Sequence, residues 1–194
     1  MLQVVIVVLD EATADEALAD ASLACGGCGG RLRPWGYART RTIRGRGGTR
    51  QTVRPRRARC TTCRATHVLL PAGGLPRRTD TIEVVGAALL AYVAGKGHRA
   101  IAAELAVPAA TVRGWIRRAA ARAEWLRVEA TLLAHAVDAE PAPSLPTGSA
   151  LGDALAALGA AKAAVTRRLG PIAPPWHLAT TITGGRLLAP LPTG

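Results

Sequence analysis

The chain has 194 residues, with 25 Lys or Arg against 13 Asp or Glu, a formal net charge of +12 and four cysteines. Asp153 is the only acid after residue 148, which argues against a two-metal phosphoryl-transfer domain, since that chemistry needs several converging carboxylates. The N-terminus has no basic segment, long apolar run or small-residue cleavage site, so a cytoplasmic protein without disulfides is expected.

Residues 1–24 are expected to form a strand over Leu2 to Leu9 and a short acidic helix over Ala12 to Ala21, positioned to shield nearby arginines. Residues 25–71 hold all four cysteines as two matched pairs, Cys25-Gly-Gly-Cys28 and Cys60-Thr-Thr-Cys63. Two residues between thiolates let a tight turn present both sulfurs to one tetrahedral ion, and two such turns close a four-thiolate structural site. Cys25, Cys28, Cys60 and Cys63 are therefore the expected metal ligands, with zinc as the cofactor. Iron held by four thiolates, as in rubredoxin-like sites, uses the same spacing. His67, four positions after Cys63, is a further candidate ligand that the pattern places on a strand instead. The stretch between the pairs, residues 29–59, is longer than usual for a ribbon and is read as an enlarged hairpin.

Within that hairpin, the alternation from Trp35 to Arg44 predicts one long strand, Gly45 to Gly48 a tip, and Thr49 to Arg59 a return strand with Pro55 at an edge or bulge. Thr66 to Leu70 predicts a third strand. The pattern is that of a small antiparallel zinc ribbon with arginines facing outward. Trp35 and Tyr37 are read as covers for a small core, with stacking on unpaired bases as the alternative. From Ala24 to Thr79 there are 14 arginines and no Asp or Glu, whereas the rest of the chain has 11 basic and 13 acidic residues. Arginine in place of lysine fits GC-rich coding, but the missing acids do not. A face this one-sided repels itself unless a polyanion neutralises it, which points to nucleic acid. Arg44, Arg46, Arg54, Arg56 and Arg57 are the expected backbone contacts of the ribbon.

After a linker at residues 71–76, residues 79–138 change to helical periodicity. Asp80 is the expected N-cap of a helix carrying Ile82, Val85, Leu89 and Val93, stopped by Gly95-Lys-Gly97. A second helix is expected over His98 to Ala106, and a third from Pro108 through Trp115 to at least Trp125. The segment Arg99-Ala-Ile101-Ala102-Ala-Glu-Leu105-Ala106-Val107-Pro108-Ala-Ala-Thr111-Val112-Arg113-Gly-Trp115-Ile116-Arg117-Arg118 resembles the helix-turn-helix of transposase and homeodomain-like DNA-binding proteins. Ile101, Ala102, Leu105, Val107, Val112 and Trp115 fall on its buried positions, and Ala106 stands where such turns usually have glycine. The resemblance implies a recognition helix in the major groove of double-stranded DNA, with Arg113 and Arg117 reaching guanine edges and Arg118, Arg99 and His98 reaching phosphate.

The segment Pro141 to Gly148 reads as a second linker, and residues 150–190 as a C-terminal helical region. Its stripe of Leu151, Leu155, Leu158, Val165 and Leu169 suits docking on the preceding helices or a homodimer, and a single helix of this length favours docking. A last turn or two is expected over Trp176 to Thr183. The fold class expected is α+β: a small ribbon sheet, a three-helix domain and C-terminal helices. Without a nucleophile motif, a glycine-rich phosphate loop or paired histidines, no catalytic residue is assigned and the chain is not expected to be an enzyme. The two cysteine pairs, the Arg-Leu-Arg-Pro34-Trp35-Gly36-Tyr37-Ala-Arg39 run, Cys63-Arg-Ala-Thr-His67, the helix-turn-helix and the late Thr-Gly184-Gly185-Arg186-Leu-Leu together resemble a bacterial zinc-ribbon plus helix-turn-helix family associated with integrase-type transposases. That resemblance implies DNA binding within a mobile element, as an accessory or end-recognition factor partnered with such a transposase; a transcriptional regulator and an RNA-binding ribbon protein are the alternatives.

Overall fold

The computed structural model describes residues 4–171 and 174–189. Leu2 and Gln3 of the expected first strand, and Pro190 at the end of the expected C-terminal region, lie outside that range. Among the described residues the fold is α+β, with a small sheet, a separate hairpin and seven α-helices.

Strand β1 (Val4–Val8) leads into α1 (Glu11–Ala19), whose first turn is capped by Asp10 accepting from the Thr13 amide at 2.7 Å. The four-stranded sheet runs in the order β1, β6 (Thr66–Pro71), β5 (Arg56–Cys60), β2 (Leu32–Tyr37). β1 is parallel to β6, and the other two pairings are antiparallel. Helix α1 covers one face. Ala14 and Leu18 pack with Val8, Leu32, Ala58 and Leu69, and with the sulfur-bearing Cys25 and Cys60.

The two long strands expected from the alternation are each broken. Leu32–Tyr37 and Arg56–Cys60 stay in the main sheet, while β3 (Arg41–Arg44) and β4 (Arg50–Val53) form a hairpin of their own. The breaks fall at Ala38 to Thr40 and at Arg54-Pro55, where proline has no amide to continue a ladder and the Ala38 amide donates to the Pro55 carbonyl at 2.8 Å. The hairpin, with a 3-10 turn at Arg46–Gly48, leans on the helices instead of extending the sheet.

Helix α2 (Ile82–Val93) is apolar on nearly every side and correspondingly central, with Ile82, Val85, Ala88 and Leu89 fully buried. Its N-cap is Thr81, not Asp80; the Asp80 carboxylate is taken by Arg44. Helices α3 (His98–Leu105) and α4 (Ala109–Ala120) follow, then α5 (Ala123–Val137). The expected third helix thus divides at Ala121-Arg122. The division lets Ala119 face one side of the core while Ala123 and Leu126 continue it in a new direction, all three at 1% exposure or less. Helix α6 (Ala150–Leu169) docks on α5 through an alanine face comprising Ala130, Ala134, Ala157, Ala161 and Ala164, small enough for close approach. Helix α7 (Pro175–Ile182) lays Trp176 against α2, and Leu187 and Leu188 join the α2–α4 core. None of the described helices is long and apolar enough to cross a membrane.

Candidate metal centre and nucleic-acid interface

The two knuckles meet at one end of the sheet. The four sulfurs of Cys25, Cys28, Cys60 and Cys63 all lie within 4.8 Å of one another, and none is in a disulfide. Cys25 and Cys63 sulfurs are 3.7 Å apart, and those of Cys28 and Cys60 are 3.5 Å apart. A tetrahedral four-thiolate site with metal–sulfur bonds of ~2.3 Å has edges of about 3.8 Å, so the donor set fits a metal ion.

Local backbone chemistry builds each knuckle. The Cys28 and Gly29 amides both donate to the Cys25 carbonyl, and the residue after each second cysteine is left-handed, Gly29 at φ 69 and Arg64 at φ 63. Gly30 allows the knuckles to close: a β-carbon there would fall 2.5 Å from Thr62 Oγ1 and 2.9 Å from the Cys60 sulfur. Amides of Cys63 and then Thr62 point at the Cys60 sulfur and lower its thiol to about 6. The Ala65 amide favours the Cys63 thiolate, yet the sulfur of Cys28, burial, and the sulfurs of Cys60 and Cys25 outweigh it and push Cys63 up to about 11. Thiolates gathered this closely are stabilised together only by a cation among them. His67 lies on strand β6, as its spacing predicts, and also reaches the cluster: fully buried, it sets Nε2 3.3 Å from the Cys25 sulfur. Burial lowers its pKa and favours the neutral ring, which shares a hydrogen bond with that sulfur.

The arginines of the β-region are placed unequally. Arg46 and Arg54 are exposed, but Arg56 is paired with Asp15 of α1, and the Glu11 carboxylate accepts from the Arg54 amide at 3.2 Å. The short acidic helix therefore does sit against arginines. Arg57 is half-buried. Arg44 departs most from the expectation of a backbone contact. Its Nε and Nη2 donate to Asp80 at 2.7 and 2.5 Å, and its Nη1 donates to the Ala106 carbonyl at 2.9 Å, so this guanidinium ties the hairpin to the turn after α3.

That turn is tight. Ala106 adopts φ 52 and ψ 45, and the Val107 amide returns to the Ala102 carbonyl at 3.0 Å, closing the helix end. Ile101, Ala102, Val107, Val112 and Trp115 are buried between α2, α3 and α4. Arg113 and Arg117 lie one turn apart on the exposed side of α4, and Arg99 is exposed on α3. Arg118 is half-buried and donates to the Gly114 carbonyl at 3.2 Å.

Trp35 and Tyr37 correct the sequence reading. They do not cover a core: they stand 51% and 44% exposed on the edge strand β2. Arg59 lies over the Trp35 ring at 4.5 Å, and Arg54 and Arg56 lie over Tyr37 at 4.4 and 4.5 Å. Alternation does not hold through this strand: Gly36 is left-handed at φ 78, and the register against β5 shifts between Pro34 and Tyr37.

No curated protein and no solved structure matches this chain. Residues 25–115 are similar to a domain of unknown function, DUF6431, a match that opens on the first metal-centre cysteine and closes on the buried Trp115 of α4.

Proposed function

We propose that this protein is a zinc-stabilised, sequence-specific DNA-binding protein in which the cysteine-bearing β-region grips phosphate and α3–α4 act as a helix-turn-helix. The observation that carries the reading is the α3–α4 pair: a three-residue turn, a shared core of Ile101, Ala102, Val107, Val112 and Trp115, and Arg113 and Arg117 on the opposite, exposed side. A helix held this way from behind presents its outer side chains to a groove, and arginine pairs with guanine edges. The excess of arginine over acid in residues 24–79 supplies the sequence-independent attraction. Zinc is the preferred ion because a closed four-thiolate tetrahedron next to a small core is a structural site. The chain acts as a binding module and not as an enzyme, most naturally as an end-recognition or accessory factor of a transposase system.

Selection of binding sites from a random DNA pool tests this. The wild-type chain yields a defined motif, Arg113→Ala relaxes one or two positions of it at a cost of about 1–3 kcal/mol, and Trp115→Ala, by emptying a buried aromatic site, loses about 3–5 kcal/mol of stability and the motif together. If Arg113→Ala and Arg117→Ala each returned the wild-type motif at wild-type affinity, α4 would not be the reading helix. A motif confined to the chain's own promoter would favour transcriptional regulation, and tighter binding of structured RNA would favour an RNA partner.

A further inference from the structure

The face of the four-stranded sheet turned away from α1 is not simply open surface. Val5, Val68 and Leu70 form the apolar floor of a cavity of ≈ 940 Å³, bounded by Arg39, Arg41, Arg57 and Arg77, with no Asp or Glu in its lining. The Nε atoms of Arg41 and Arg57 are buried with no hydrogen-bond partner among the described residues. Arg77 is held at φ 58, a left-handed backbone that a non-glycine residue adopts only under constraint. Tyr37 stands on the rim, and the half-exposed Trp35 lies two residues before it on β2. Four cations with no acidic partner among the described residues, and unpaired buried donors beside them, call for an anion. The apolar floor and exposed rings call for something flat and apolar as well.

A phosphate ion would leave the floor and the rings unused, and duplex DNA keeps its base faces stacked inside. Unpaired nucleotides offer both chemistries at once. The choice of DNA over RNA follows from the reading of the chain as a DNA-binding protein, since the lining's arginines and its Thr66 and Tyr37 hydroxyls suit either sugar. We infer that this cavity and the adjoining Trp35–Tyr37 edge bind a single-stranded segment of DNA, its phosphates held by Arg39, Arg41, Arg57 and Arg77 and its bases stacked on Trp35 and Tyr37. The inference rests on the reading of the chain as a DNA-binding protein and extends it: the protein engages DNA where duplex and unpaired strand adjoin. Arg56 is tethered to Asp15, so Arg54 is the guanidinium that yields when a base stacks on Tyr37.

Fluorescence anisotropy of the full, metal-loaded chain with oligothymidylate, oligouridylate of equal length and a blunt duplex tests it. Oligothymidylate is expected to bind more tightly than oligouridylate. Trp35→Ala and Tyr37→Ala should each weaken oligothymidylate about tenfold and leave duplex affinity unchanged, while Trp35→Phe, which keeps a π face, retains most of the binding. Arg41→Gln should lower the salt dependence of oligothymidylate binding by about one ion. Because Trp35 is half exposed, its loss leaves the metal content and melting temperature near wild type. Wild-type affinity of Trp35→Ala for oligothymidylate, an equal loss on duplex, or tighter binding of oligouridylate would each overturn the inference. Duplex binding without any oligothymidylate binding would overturn it and leave the proposed function standing. Failure to bind any duplex, with a Trp35-dependent hold on oligothymidylate, would overturn the proposed function and the junction with duplex while leaving the single-strand site standing.

Discussion

Replacing Gly86 by alanine separates what a helix prefers from what this fold permits. In an unencumbered helix interior the change gains about 1 kcal/mol, because alanine loses less backbone entropy. Gly86, however, is buried in α2, where a β-carbon would lie under 3.0 Å from three ring atoms of Trp176. The ring cannot slide freely, since α7 is fastened to α2 one residue later by His177, 2.5 Å from Glu83. Overpacking of this kind costs about 1–3 kcal/mol or more. If the ring swings out altogether, the loss approaches the ~3 kcal/mol of an emptied aromatic site. Set against the helix gain, overpacking leaves a net loss of about 0–2 kcal/mol and displacement of the ring about 2 kcal/mol, the latter a fall in melting temperature of about 4–8 °C for a chain of this size. Gly159 is the internal control: it lies on the exposed side of α6, where an added β-carbon would meet nothing within 4 Å, so Gly159→Ala should gain about 0.5–1 kcal/mol. Denaturant titration followed by helical circular dichroism measures both, and Gly86→Ala combined with Trp176→Leu should recover much of the loss. A Gly86→Ala protein as stable as wild type, alongside a stabilised Gly159→Ala, would refute the packing argument.

The metal centre predicts one metal ion per chain by elemental analysis, with Cys28→Ser or Cys63→Ser reducing it well below one; because the α1-side core is small, chelation should raise hydrogen exchange at residues 25–33 and 56–64 while α2 and α5 stay protected. A full complement of metal in either variant would show that the sulfur cluster is not the site. At the helical turn, Ala106→Gly relieves a left-handed alanine at a cost in unfolded-state entropy, for an expected gain of up to about 1 kcal/mol in denaturant midpoint analysis. A loss of stability there would mean that the entropy glycine adds to the unfolded chain outweighs the strain it relieves at this turn.

Much of this protein is settled by local rules that a sequence carries openly. Paired cysteines two residues apart turn on themselves, and the four sulfurs do converge. The run Ile82, Val85, Leu89 dictates a buried helix, and Gly95 at φ 91 ends it. Ala106 marks a turn by its position between two amphipathic segments. What local rules leave open is everything that depends on a partner far along the chain. Alternation through Trp35 and Tyr37 predicts a strand, but the register shift between Pro34 and Tyr37 exists only once β2 pairs with β5, and both rings stay largely in solvent. Arg44 looks like any other arginine of its stretch until Asp80 and the Ala106 carbonyl are brought to it from 36 and 62 residues away. The division between α4 and α5 has neither glycine nor proline to announce it, because alanine-rich sequence fits one long helix or two, and only the core packed beneath Ala119, Ala123 and Leu126 favours two. Gly86 belongs to the same class: its missing side chain is explained by a tryptophan 90 residues later, and steric exclusion of that kind exists only once both elements are in place.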